Sequence, residues 1–174
     1  MLTQSIKMMV NNEVIVNDPV TAKNEGHVIK LIPGVYEGIA LVQYVNKSMD
    51  VTAIKLIPAD KIVTDKIESN NKEIIDTFFD GFDEHIGEFT TNNLVVIVDE
   101  NKYEEDNSYD EDIEEYYINA IGDYNDGAFD GIIVNTSSKK FNIYAHKDGN
   151  KIDSILIKFY DNVDLNNYLD ENRE

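Results

Sequence analysis

Over the first third of the chain, β-branched and apolar residues gather in short runs, and each run is closed by a turn signal. Glu13 to Asn17 is rich in Val and Ile and ends in Asn17-Asp18-Pro19. Gly26 to Ile32 alternates and ends in Pro33-Gly34. Gly38 to Val45 leads into Asn46-Lys47-Ser48, and Val51 to Ile57 stops at Pro58, with Lys61 to Val63 as a last short strand. Four or five strands at this spacing predict a small β-barrel over residues 1–64.

The pattern then changes. Residues 65–71, around Ser69-Asn70-Asn71, are polar and read as a linker. Beyond them Ile74, Ile75, Phe78, Phe79, Phe82 and Ile86 recur at helical spacing, with Glu73, Asp76, Asp80 and Glu84 on the opposite side, which predicts an amphipathic helix closing near Gly87. Gly81 inside it costs about 1 kcal/mol relative to Ala and marks a place for a bend or stop. Leu94 to Val98 is a continuous apolar run, as in a strand covered on both faces. An acidic loop follows from Asp99 to Asp112, and Ser108 with Glu111 has capping-box spacing for a second helix that uses Ile113, Tyr116, Tyr117, Ala120 and Ile121 and stops at Gly122. Gly131 to Asn135, Phe141 to His146 and Ile152 to Tyr160 read as strands joined by hairpin turns at Thr136-Ser137-Ser138-Lys139 and Asp148-Gly149-Asn150, and a short helix from Asp164 to about Asp170 finishes the chain. The expected fold class is therefore α+β: a barrel over 1–64, a linker over 65–71, and over 72–174 a domain with a mainly antiparallel sheet and two or three helices.

Gly26-His27-Val28-Ile29, Gly38-Ile39-Ala40-Leu41-Val42 and Ile57-Pro58-Ala59-Asp60-Lys61-Ile62-Val63 give residues 12–64 a pattern that resembles the SH3-like barrels of KOW and Tudor modules. The resemblance implies a fold and no activity. An aromatic cage for methyl-lysine is not implied, since Tyr36 and Tyr44 are the only aromatics there.

Charge sharpens the division. The 174-residue chain has a formal net charge of −19, and residues 63–136 hold 21 acids against Lys66, Lys72 and Lys102. The segment before it is balanced and the one after it nearly so. Concentrated like charge repels itself and opposes folding, so it asks for a reason beyond solubility. Cysteine is absent, which excludes disulfides, thiolate catalysis and cysteine-ligated zinc and fits a reducing compartment. No apolar run has signal-peptide or membrane-spanning character, so the expected setting is the cytoplasm, without membrane attachment. Arg173 is the one arginine against 14 lysines, a usage typical of AT-rich genomes such as those of low-GC bacteria and their phages.

Chemistry-bearing motifs are few. The loop from Asp99 lacks EF-hand spacing: counted from Asp106, the sixth residue is Glu111 rather than Gly and the twelfth is Tyr117 rather than Glu. Asp123-Tyr124-Asn125-Asp126-Gly127 has its Gly one position early. His27, His85 and His146 have no helical ligand spacing, and neither a Gly-x-Ser-x-Gly elbow nor a phosphate-binding Gly-rich loop occurs. The chain is therefore read as a non-enzyme without cofactor or metal.

The candidate binding residues are Glu73, Asp76, Asp80 and Glu84 on the first helix, Tyr103, Glu104, Glu105 and Tyr109 in the acidic loop, and Glu111, Glu114 and Glu115 on the second helix. One acidic helix cannot imitate a nucleic-acid backbone, because four acids over 11 positions span only ~16 Å. Several acidic elements side by side could, with loop tyrosines as anchors inside the charged rim. The competing account is a solvated outer face. In size, acidity and lack of catalytic motifs the chain is similar to DNA-mimic inhibitors of phages and mobile elements and to acidic immunity proteins against nucleases. That likeness implies a partner with a basic, nucleic-acid-binding surface, and no direct binding of nucleic acid. The alternative is a structural or adaptor module of a virion or transcription complex.

Overall fold

Alternation in this chain continues where a helix was expected. The computed structural model describes residues 6–18, 27–45, 48–61, 78–99 and 131–160. They form ten strands: β1 Ile6–Val10, β2 Glu13–Asn17, β3 His27–Lys30, β4 Gly34–Val45, β5 Ser48–Pro58, β6 Glu84–Thr90, β7 Leu94–Asp99, β8 Gly131–Asn135, β9 Lys140–Asp148 and β10 Lys151–Lys158. A single 3-10 turn, Ala59–Lys61, follows β5. One sheet has the order β1-β4-β5-β10-β9-β6 and the other β3-β2-β7-β8, and all strand pairs within them are antiparallel.

The two sheets share one core. Val14 and Val16 of β2, Ile29 of β3, Val95 and Ile97 of β7 and Ile132 and Val134 of β8 pack with Tyr36, Ile54, Leu56, Phe141, Ile143, Ile155 and Ile157 of the six-stranded sheet. This is a β-sandwich, built because each strand turns every second side chain inward. The sandwich corrects the α+β expectation: no α-helix occurs among the described residues. It also corrects the barrel. Instead of closing on themselves, the first five strands divide between the sheets and pair with later ones, Ile155 opposite Leu56 and Val98 opposite Ile15. Both sheets thus draw strands from either side of the expected boundary at residues 65–71, which lie outside the described residues.

The failure of the first predicted helix has a local cause. Phe78, Phe79 and Phe82 do face one way, but they sit around a turn that ends at Gly81 with φ 87, a backbone value that a continuing helix forbids. Those rings cover Ile39, Leu41, Ala53 and Leu156 on the outer face of the six-stranded sheet, and Phe78 is 1% exposed. Ile86 and Phe89 belong to β6 and pack against the inner core instead. Helical spacing therefore arose from two segments whose apolar side chains pack on opposite faces of the same sheet.

β7 conforms to its apolar run. Val95 and Ile97 point into the core, and Leu94, Val96 and Val98, on its other face, are buried as well. The turn Asp148-Gly149-Asn150 makes the β9–β10 hairpin, with Asp148 opposite Lys151 and Gly149 at φ 65 in the first of two loop positions, the place a II′ turn gives to glycine. Thr136-Ser137-Ser138-Lys139 is not a hairpin turn. β8 pairs with β7 and β9 with β10 and β6, so these residues carry the chain from one sheet to the other. The second predicted helix and the C-terminal one lie outside the described residues.

Candidate functional site

Of the eleven candidate binding residues, two are described. Asp80 is exposed in the Phe78–Gly81 turn, and Glu84 is exposed as the first residue of β6. They do not share a helical face. Glu84 receives Lys147 Nζ at 2.9 Å, and Glu88, further along β6, lies 3.6 Å from Lys140 Nζ, so lysines of β9 lace the acids of this edge strand. Asp80 acts at longer range on Lys55. Burial lowers the pKa of that lysine and Asp80 opposes the shift, while the ammonium sits 4.4 Å from the Phe78 ring centroid and donates to the Phe78 carbonyl at 3.2 Å. Glu73, Asp76, Tyr103, Glu104, Glu105, Tyr109, Glu111, Glu114 and Glu115 lie outside the described residues.

Most of the missing acids belong to one connection. β7 and β8 are hydrogen-bonded neighbours with Val98 opposite Gly131, yet the chain between them, 100–130, has 31 residues. Antiparallel neighbours can be joined by two to five residues, and much longer connections in compact domains are commonly functional. This one holds twelve acids, Lys102 as its only base, and Tyr103, Tyr109, Tyr116, Tyr117 and Tyr124. Its base is fixed. Asp99, 6% exposed at the end of β7, accepts the Asn11 backbone N–H at 2.8 Å and the Asn11 side-chain amide at 3.4 Å, which ties the start of the connection to the β1–β2 turn. The described residues carry twelve carboxylates against nine lysines, so the sandwich itself is close to balanced and the acidic excess lies outside them.

Inside the sandwich, carboxylates act as clamps. Asp50 on β5 accepts Val51 N–H at 2.9 Å on one oxygen, and Ser137 N–H at 3.0 Å and Tyr160 O–H at 2.6 Å on the other. It thereby holds the passage between the sheets. Burial, and then Asp50, push the Tyr160 phenol up to about 12. Asp18 accepts Thr91 Oγ1 at 2.9 Å and the Asn92 backbone N–H, fixing the β6–β7 turn.

Asp153, 3% exposed on β10, accepts Lys61 Nζ at 3.0 Å and contacts His146 Nδ1 at 2.6 Å. Burial pushes its carboxyl up, but hydrogen bonds and charge from His146 and Lys61 prevail and hold it below the ordinary value. Asp153 and Lys61 border a cleft of about 430 Å³ against Tyr36, whose phenol is pushed up to about 12 by burial and by the Asp153 charge. This cluster escaped the sequence reading, which tested the histidines only for helical ligand spacing. The Gly149 hairpin was the available signal: its register brings His146 opposite Ser154 and beside Asp153. A carboxylate-oriented imidazole is half of a proton-transfer apparatus. Through Asp153 it ties the β9–β10 hairpin to the 3-10 turn that carries Lys61. Among the described residues no three His, Asp or Glu side chains converge as metal ligands, and no helix is long and apolar enough to cross a membrane.

With this geometry in hand, comparison with known protein families, curated proteins and solved structures yields no match.

Proposed function

We propose that the protein is a non-catalytic, cytoplasmic binding protein that uses its acidic connection to occupy the basic surface of a nucleic-acid-handling protein, as an inhibitor of the DNA-mimic type. The observation that carries this reading is the 31-residue, twelve-acid stretch inserted between two strands that are already paired neighbours. The near-balanced sandwich has its own lysine-laced edge and needs no such excess for solubility. Long-range attraction by 100–130 brings the partner in, and Tyr103 and Tyr109 anchor it. Binding free of nucleic acid follows, because the same charge repels phosphates.

The test immobilises the protein, captures partners from host extract, and challenges the captured protein with duplex DNA and with salt. A nucleic-acid-binding protein released by both is expected, and a variant with Glu104, Glu105, Glu111, Glu114 and Glu115 changed to Gln should capture far less. Capture of a capsid, tail or transcription-scaffold protein, indifferent to DNA and to the five substitutions, would instead establish an adaptor.

A further inference from the structure

On one side of the sandwich the two sheets end in β3, of the four-stranded sheet, and β6, of the six-stranded one. His27 of β3 lies 4.6 Å from Phe89 of β6 between ring centroids, so the two edges approach at that point. Between them opens a cleft of about 680 Å³, within the ~300–1,000 Å³ typical of small-molecule sites. Its floor is the core itself: Ile29 and Leu31, each 2% exposed, with Ile86 and Ile152 packed beside them. Lys30, Lys147 and Lys151 stand on its rim, and no carboxylate occurs among its described lining residues.

Three lysines around an apolar floor run against the sign of a −19 chain. Lys147 is engaged by Glu84, whereas among the described residues Lys30 and Lys151 have no carboxylate partner within 4.0 Å. Glu13 lies opposite Lys30 in the β2–β3 register without closing an ion pair. An added β-strand is a poor occupant. β3 is four residues long, and just beyond it the chain is already bonded, Leu31 bridging to Ile152 and Ile32 N–H reaching the Ile152 carbonyl at 3.1 Å. That leaves room for a compact ligand whose body is apolar and whose head is negative.

We infer that this cleft binds a small amphipathic carboxylate, its apolar body on Ile29, Ile86 and Ile152 and its head held by Lys30 and Lys151. The inference is independent of the acidic connection. Its discriminating feature is sign: a protein this acidic attracts cations without any site, so preference for an anion requires local built-in charge.

Laurate and dodecylammonium, equal in chain length and opposite in charge, are compared by calorimetry below their micellar concentrations, with circular dichroism to verify the fold. One laurate per chain is expected, with methyl NMR shifts at Ile29, Ile86 and Ile152, and no displacement by dodecylammonium. The surface double variant Lys30→Gln/Lys151→Gln should bind laurate about tenfold more weakly, as expected for loss of two screened charge contacts of ~1 kcal/mol or less each. Absence of laurate binding, equal binding of the two amphiphiles, or laurate affinity unchanged in the lysine variant would each overturn the inference.

Discussion

Changing Asp50 to Asn preserves the volume of the side chain but not its ability to accept on both sides. In the native protein one oxygen takes Val51 N–H and the other takes Ser137 N–H and Tyr160 O–H, at 2.9, 3.0 and 2.6 Å. An amide has one acceptor end, so in either orientation its NH₂ faces a backbone N–H that can only donate. A hydrogen bond to a charged group is worth about 1.5–3 kcal/mol, and a buried donor left unpaired costs a further 1–3, so Asp50→Asn should lose roughly 2.5–6 kcal/mol. Tyr160→Phe removes one donor and leaves the carboxylate its others, for a loss of about 1–2 kcal/mol. The double variant should lose about 1–2 kcal/mol less than the sum, because both changes break the same contact. Urea unfolding of the four proteins measures this cycle. Tyrosinate absorbance supplies an independent reading. The folded Tyr160 pKa, about 12, exceeds its unfolded value of 10.0, so the associated stability is fully present below pH 10 and is lost as pH rises through 12. Without the Asp50 charge the phenol should titrate lower, although burial, the larger cause, keeps part of the rise. An Asp50→Asn protein with the wild-type urea midpoint, or strictly additive losses, would refute the assignment of Asp50 as the clamp at the sheet crossing.

Phe78→Ala should destabilise by about 3–5 kcal/mol in urea unfolding, since a ring 1% exposed is removed from the outer face of the six-stranded sheet; a loss below 1 kcal/mol would mean that face does not need its cap. Asp153 has a depressed folded pKa, so its stabilisation is present above the ordinary value of 3.8 and is lost as pH falls through the lower folded value. Asp153→Asn should therefore flatten the acid limb of stability against pH, and an unchanged limb would count against the His146–Asp153–Lys61 tether. Gly149→Ala, at φ 65 in open space, should cost about 1 kcal/mol through backbone strain alone, and a neutral result would argue against that turn geometry.

Strand positions were legible wherever period-two alternation coincided with a turn signal. Residues 13–17 and 131–135 are strands with the bounds expected, and the run at Leu94 is a strand buried on both faces. β1 was missed because Ile6–Val10 carries Lys7 within five residues, which interrupts its apolar run. Partnering was not legible. Whether Thr136-Ser137-Ser138-Lys139 folds back or crosses over depends on which strand waits beside β9, and that strand is β10 with β6, information that local sequence does not contain. A closed barrel and an open set of strands awaiting distant partners share the same spacing of Val, Ile and Gly. For the candidate site, composition located the acid excess, but only the pairing of β7 with β8 reveals that 100–130 is an insertion between neighbours.

The place of β10 between β5 and β9 has a consequence for synthesis. β4 and β5 can pair as soon as they leave the ribosome, but the open side of β5 awaits Ala53 to Leu56 meeting Ile155 to Lys158, about a hundred residues later. At translation rates of ~5–20 residues per second, that edge stays bare for roughly 5–20 seconds, with Ile54 and Leu56 ready to pair with any other nascent strand. The chain is thus a slow-closing, high-contact-order folder whose vulnerable interval ends when its last described strand emerges. Truncation before β10 should yield aggregates instead of a smaller stable domain.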